Sequence, residues 1–431
     1  MSYTIKHIDI EGLWNIKSFK TDLHRDINIL IGQNGSNKTT FLNLIEACLM
    51  VEIHKLQQLT FNTVSFLLEN SNGDHQTIKV KKIKNDNWIE YDYYIGDQKF
   101  KISSLEEFGD FYHRFGMNSS IRENIFQIRG ILNEMVNMSW LSVDRNTENN
   151  EDKKRYINVV DKKLDDLTKK LALYRLKLLE GVNKCTHELN TEVLSLLLYD
   201  EKTDSLDLND IEKFASLDAR EIKASLYRVF NQMGNMRQMS DRIQTHIRQL
   251  TEAIERIRTG QSLMMNDIAA LVLISKTIAM IELSKKHKEA VDKLMEPIDT
   301  YNKILQRFIK DKEFTFSEES GQLQIEWIVD SKNHDNMNAK LEYYSLSSGE
   351  KQLLILLTQT LLQEKQPYIF IADEPELSLH IEWQRNIINA INDLNPNAQV
   401  IVATHSPEIA GQWSLKIIRM ENITTYGEFY E

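Results

Sequence analysis

At 431 residues with 42% hydrophobic side chains, the chain has length for two or three domains with real cores, which excludes a disordered or fibrous protein. A formal net charge of −11 excludes nucleic-acid binding by overall charge, so any DNA contact needs a local basic patch. The two cysteines, Cys48 and Cys185, form no Cys-x-x-Cys pair, which argues against a disulfide framework or zinc and fits a reducing cytoplasm.

The N-terminal MSYTIKHIDIEG alternates Ile5, Ile8 and Ile10 like a strand and lacks the basic leader and apolar core of a signal peptide. After Gly12 and Asn15, INILI at 27–31 reads as a buried strand that breaks into GQNGSNKTT. A phosphate-binding loop takes the form G-x-x-x-x-G-K-[ST], because loop N–H groups turn inward around the β-phosphate while a lysine and a hydroxyl follow at fixed offsets. Gly32 is expected to supply the turn, Gly35 the close approach, Lys38 the charge on the β/γ-phosphates and Thr39 the Mg²⁺ ligand, with Asn34, Ser36, Asn37 and Thr40 completing the cradle. Asn37 stands where the second motif glycine belongs, and asparagine visits the left-handed region more readily than most residues. FLNLIEACLMV then repeats apolar residues at helical spacing, which aims a helix N-terminus at the phosphates.

Residues 60–103 read as an antiparallel meander of aromatic and β-branched runs between Asn/Gly/Asp turns. Lys79, Lys81, Lys82 and Lys84 crowd one hairpin, as a solvated sheet edge or as phosphate contacts for a nucleic acid. From 151 to 179, Ile157, Val160, Leu164, Leu167, Leu171, Tyr174 and Leu178 recur at steps of three and four; Met236, Met239, Ile243, Ile247, Leu250, Ile254 and Ile257 form a second such seam. A coiled-coil arm and an ordinary helical bundle share this periodicity. Residues 262–311 continue helical with Pro297 as a start or kink, and IAALVLISKTIAMIEL is too short and too interrupted, by Lys276, to span a membrane.

The α/β pattern then returns. KEFTFSEESGQLQIEWIV and KLEYYSL read as strands, and SSGEKQLLILLTQTLLQE as a helix opened by a Ser/Gly cap. YIFIADEPE is a buried strand ending in carboxylates, and AQVIVATHSPEIAGQW a strand ending in His405, with no room after it for a further catalytic domain. Beside a P-loop, Asp373 is placed to hold Mg²⁺ and Glu374 to polarise the attacking water, while His405 suits donation to the γ-phosphate. Leu346-Ser347-Ser348-Gly349-Glu350 offers hydroxyls, a glycine and a helix N-terminus, an anion-binding surface able to act on a second subunit's nucleotide.

These four motifs, GQNGSNKTT, LSSGEKQ, YIFIADEPELSLH and ATHSPEI, in this order resemble the ABC-type ATPases of the SMC, RecF and OLD-nuclease group. The resemblance implies an ABC-ATPase head of α/β class, a mixed sheet with a P-loop core and an antiparallel β lobe, with an inserted helical or coiled-coil arm: head 1–145, arm 146–312, head 313–431. It implies ATP and Mg²⁺, and a homodimer or higher multimer in which Ser347, Ser348, Gly349 and Glu350 of one protomer meet the ATP of the other. The chain departs from that group in Asn37, in lacking a zinc hook, and in lacking a Toprim domain, and its Q-loop counterpart is sought near Ser142 and Asp144. Its compactness is also similar to stand-alone ATPases of antiphage systems such as PARIS and Septu. The expectation is therefore a slow cytoplasmic ATPase, without membrane, acting as sensor or scaffold for a separately encoded nuclease or toxin. A RecF-type repair ATPase on duplex DNA, and a nucleotide-binding scaffold with little turnover, are the alternatives.

Overall fold

The computed structural model describes residues 2–85, 88–105, 119–141, 159–196, 219–232, 236–262, 264–328 and 340–427, with the single positions 198, 209, 212 and 216. Two compact units emerge, Met1–Ala172 with Thr300–Glu431, and Leu173–Asp299. Ser142 and Asp144, the Q-loop region, lie outside the described residues.

The first unit is built on a five-stranded, all-parallel sheet in the order Ile417–Arg419, Ile27–Ile31, Ala398–Ala403, Tyr368–Asp373, Met138–Leu141. Strands covered on both faces must be apolar along their length, and INILI, YIFIAD and AQVIVA are buried almost throughout. Each fully buried Ile, Leu or Val contributes on the order of 1.5–3 kcal/mol of transfer free energy, which makes this register hard to shift. Because the three central strands run parallel side by side, their carboxyl ends open together into Gly32, Glu374 and Thr404, the usual ligand side of such a sheet.

A seven-stranded sheet, Thr424–Tyr426, Lys17–Asp22, Tyr3–Leu13, Thr63–Asn70, His75–Asn85, Trp88–Ile95 and Gln98–Leu105, is antiparallel. The predicted meander is thus one end of a larger sheet that also recruits the N-terminal hairpin. Its buried face, including Ile8, Phe19, Val64, Phe66 and Tyr91, shares a core with the helix Lys38–Leu49, where Phe19 and Phe41 lie 5.8 Å apart between ring centroids. Gln399 ties the two sheets together: its side chain accepts from Ile5 N at 2.8 Å and donates to Ile5 O at 2.7 Å and His24 O at 2.8 Å.

The lysine hairpin is corrected. His75–Asn85 is an interior strand, paired on both sides, not a sheet edge. Lys82 turns inward and donates to the carbonyls of Leu56, Gln57 and Leu59 at 2.9, 3.2 and 2.6 Å, closing the end of the helix Ile53–Gln58. Lys81 lies opposite Asp92 in the register, and the buried Asp92 carboxylate pairs with Lys99 at 2.7 Å.

KLEYYSL forms only the two-residue strand Lys340–Leu341 before a 3₁₀ turn at Tyr343–Ser345, completing a small sheet with Leu323–Trp327 and Lys312–Phe316. The first seam lies along the helix Val159–Ser195, with Leu164, Leu167 and Leu171 buried in the first unit and Ile157 outside the described residues. In the second unit the second seam packs into a bundle. Ile243, Leu250 and Ile254 of Met236–Arg258 pack with Ile222 and Leu226 of Ala219–Gln232 and with Ile274, Ile278 and Ile281 of Ile274–Phe308. Leu189 and Val193 of the 37-residue helix Val159–Ser195 meet Val229. Pro297 lies inside Ile274–Phe308, not at a helix start. Among the described residues no helix is long and apolar enough to cross a membrane.

Candidate functional site

The loop after Ile31 closes through two left-handed residues. Asn37 takes φ 66° and ψ 28° and passes its carbonyl to Phe41 N at 2.8 Å, so it starts the helix in a conformation that most side chains resist and asparagine accepts. Gly35 takes φ 83° with open space where a Cβ would be. Gly32 has the other demand: a Cβ there would lie 2.6 Å from Ser36 Oγ and 3.1 Å from Met420 Cβ. The left-handed turn is therefore made by Gly35 and Asn37, while a side chain at Gly32 would press on Ser36 and Met420, the reverse of the division expected from the motif.

Lys38 opens the helix Lys38–Leu49, and its ammonium donates to Gly32 O at 2.8 Å and Gln33 O at 3.4 Å. Burial lowers its pKa, opposed by the carboxylates of Glu374, Asp373, Glu421 and Glu376 around it. Asp373 closes the strand Tyr368–Asp373 with the Thr39 hydroxyl beside its carboxylate, which favours the charged form. Burial raises its pKa, and the neighbouring Glu374 and Glu376 add to that. Glu374 leaves the strand at φ 47°, its N–H bound to Ala403 O at 2.8 Å, and its carboxylate lies 3.8 Å from His405 Nε2. Lys38, Thr39, Asp373, Glu374 and His405, separated by up to 367 positions in sequence, thus meet where three strands end.

The site is built for a ligand carrying charge. Buried side-chain atoms with no protein partner include Ser36 Oγ, Asn37 Nδ2, Asp373 Oδ1 and Glu376 Oε2, and buried polar atoms are seldom left so without an occupant or water. The first-turn N–H groups of Lys38–Leu49 have no intrahelical acceptor and carry the positive end of the helix dipole. One ammonium among four carboxylates leaves an excess of negative charge. Among the described residues no group of three or more His, Cys, Asp or Glu is placed to hold a metal ion.

The Ser347–Glu350 segment stands apart. Among the described residues no hydrogen bond or ion pair joins it to residues 32–40. Ser347 caps the helix Ser348–Leu361 in a reciprocal capping box: Glu350 N donates to Ser347 Oγ at 3.3 Å, and Ser347 N donates to Glu350 Oε2 at 2.8 Å. Ser347 and Ser348 are exposed. Gly349 packs so tightly that a Cβ would collide with the Ser378 carbonyl.

The Glu350 carboxylate is engaged inside the protomer, by the capping box and by Lys312 Nζ at 2.6 Å. Burial opposes its ionisation, but hydrogen bonds from Lys312 and Ser347 prevail and lower its pKa. A group with a lowered folded pKa stabilises the fold above its unfolded value, and that stabilisation fades as pH falls through the folded value. Lys312→Met is therefore expected to cost about 1–3 kcal/mol at pH 7 by leaving the buried carboxylate without its cation. Melting curves from pH 7 to 3 should show the variant and wild type converging in acid; a gap independent of pH would contradict the pairing.

Two participants escaped the motif reading. Glu376 accepts at one oxygen, Oε1, from Thr404 Oγ1 (2.6 Å), His405 N (2.9 Å) and Ser406 N (3.2 Å). Glu421, from the last helical turn Met420–Ile423, accepts from Gln33 N at 3.3 Å. Only the doubled acid in DEPE hinted at the first, and nothing local marked the second.

Retron Ec83 probable ATPase of Escherichia coli is 28% identical over 142 residues, 30% of this chain and 26% of that protein. Retron Vc95 probable ATPase of Vibrio cholerae serotype O1 biovar El Tor is 23% identical over 451 aligned positions, 96% of this chain and 73% of that protein. The chain thus spans about a quarter of the first relative's length and about three quarters of the second's. Solved structures aligned with it include the Smc head domain with an extended coiled coil bound to the C-terminal domain of ScpA, from Pyrococcus furiosus (14% identity, TM-score 0.46, 99% of this chain and 96% of that one). A second is the SmcHead bound to the C-winged helix domain of ScpA (12% identity, TM-score 0.38, 98% and 97%). The family described as AAA ATPase domain matches residues 4–410, which takes in every site residue above except Glu421, and the chain belongs to that family.

Proposed function

We propose that this chain binds ATP with Mg²⁺ at the carboxyl ends of its parallel strands and hydrolyses it slowly, and that two copies close head-to-tail around two nucleotides. The observation that carries this reading is the meeting of Lys38, Thr39, Asp373, Glu374 and His405 at one ligand-demanding place where the parallel strands end. Lys38 exchanges its loop carbonyls for the β/γ-phosphates. The loop and first-turn N–H groups, from Gly32 through Thr40, receive the phosphate oxygens. Magnesium, when bound, screens the phosphate charge, and Thr39 and Asp373 would hold it. Glu374 takes the proton from the attacking water, and His405 donates toward the γ-phosphate.

The exposed Ser347 and Ser348, with Gly349 on a helix N-terminus that none of the protomer's own P-loop contacts uses, suit the γ-phosphate held by a second copy. The kinship with two retron probable ATPases supports a cytoplasmic antiphage setting. There the nucleotide-gated dimer acts as sensor or scaffold for a separately encoded nuclease or toxin, with the inserted helices as the arm. The trans arrangement has a direct test. Ser347→Arg and Glu374→Gln chains, each inactive alone, should regain up to about half of the per-site turnover when mixed, since one composite site in the mixed dimer is intact. No recovery at any ratio, with mixed dimers verified by native mass spectrometry, would refute it.

A further inference from the structure

We infer that Glu376 is a positioning residue that fixes the height and direction of His405 over the site. The carboxylate is buried, at 9% exposure, and spans a gap of 28 to 30 residues in sequence to hold three successive positions of the loop after Ala398–Ala403. Two of its three donors are backbone N–H groups, His405 and Ser406, so it fixes the peptide that carries the imidazole and not the ring itself. A second tie secures the same loop: Ser406 Oγ donates to Gln384 Oε1 at 2.7 Å, and Gln384 Nε2 donates to Leu379 O at 2.9 Å. The loop is therefore fastened twice to the segment 376–384, and the imidazole is left free to face Glu374 at 3.8 Å.

A buried carboxylate persists only where hydrogen bonds or charges compensate it, and three donors on Oε1 do so here. Oε2 keeps no protein partner, so the holding function resides in a single acceptor oxygen. That makes a sharp chemical distinction: glutamine keeps the acceptor, alanine removes it. The clamp also lies on the turn that meets Gly349, since Ser378, two residues on at φ 69°, presents its carbonyl to that glycine.

The inference rests on the ATPase reading of the site. Its test compares wild type, Glu376→Ala, Glu376→Gln and Thr404→Val for ATP affinity, turnover and amide hydrogen exchange at His405 and Ser406. Glu376→Ala is expected to keep ATP affinity within about threefold and lose turnover by roughly 100-fold, the scale of a displaced catalytic group. Its His405 and Ser406 amides should exchange faster while the strand Ala398–Ala403 stays protected. Glu376→Gln is expected to retain turnover within about fivefold and near-normal protection, and Thr404→Val to fall between. Wild-type turnover in Glu376→Ala, glutamine as damaging as alanine, or unchanged exchange at both amides would each overturn the positioning role. The exchange measurement needs no nucleotide, so it decides on the clamp even if the nucleotide reading fails; failure of that reading shows separately, as absence of ATP binding to wild type.

Discussion

Lys38→Ala is expected to weaken ATP binding by roughly 100-fold or more while leaving the melting temperature of the nucleotide-free protein close to that of wild type. The two halves of this expectation have one cause. Without ligand, Lys38 is held by two loop carbonyls and disfavoured by burial, so its ammonium gives the fold little net stability. With nucleotide, the same ammonium faces phosphate oxygens through charge-assisted hydrogen bonds in a site shielded from water, and hydrogen bonds to charged groups contribute about 1.5–3 kcal/mol each. Two such bonds correspond to a loss near or beyond 100-fold, at about 1.4 kcal/mol per tenfold. Isothermal titration and the ATP-induced rise in melting temperature both read it, because a ligand that binds only the folded state stabilises it by mass action. A variant that still binds ATP like wild type would mean that the phosphates lie elsewhere.

The parts legible in the sequence were those in which a local pattern carries the chemistry. INILI before GQNGSNKTT and YIFIAD before its acids are buried strands because nothing else accommodates such runs, and the parallel sheet brings their ends together as the motif order implied. Asn37 was readable as a residue that tolerates left-handed angles, and it adopts them. What stayed hidden depends on partners distant in sequence. Lys82 looked like an edge lysine because pairing on both sides of its strand is a property of the whole sheet. Glu350 looked like part of an anion surface because Lys312, which neutralises it, is 38 residues away. Glu376 has no role in the sequence reading because its donors, Thr404, His405 and Ser406, lie 28 to 30 residues away. The helical seams were ambiguous for a related reason: a period of three and four fixes an apolar stripe, and only the tertiary core decides how many helices cover it.

Glycine at position 37 would relieve about 1 kcal/mol of left-handed cost but would also remove a buried amide, Nδ2, which has no protein partner in the cradle.

Glu374→Gln removes the carboxylate proposed as base and preserves the shape. The strand that delivers this residue, the Ala403 carbonyl that holds its N–H, and the adjacent Asp373–Thr39 pair are all untouched by the exchange. General-base assistance accounts for roughly 10²–10⁴ in rate, and glutamine cannot accept the proton of the attacking water. ATP affinity should stay within a few-fold of wild type, because Lys38 and the loop amides carry binding. The decisive measurement is phosphate release by wild type and Glu374→Gln at saturating ATP, each with Mg²⁺ and with EDTA, beside equilibrium ATP binding. Mg²⁺-dependent turnover in wild type, falling at least 100-fold in the variant with ATP still bound, is the expected result. Equal turnover in the two proteins, or no Mg²⁺-dependent hydrolysis by wild type under any condition, would contradict an ATPase centred on these residues.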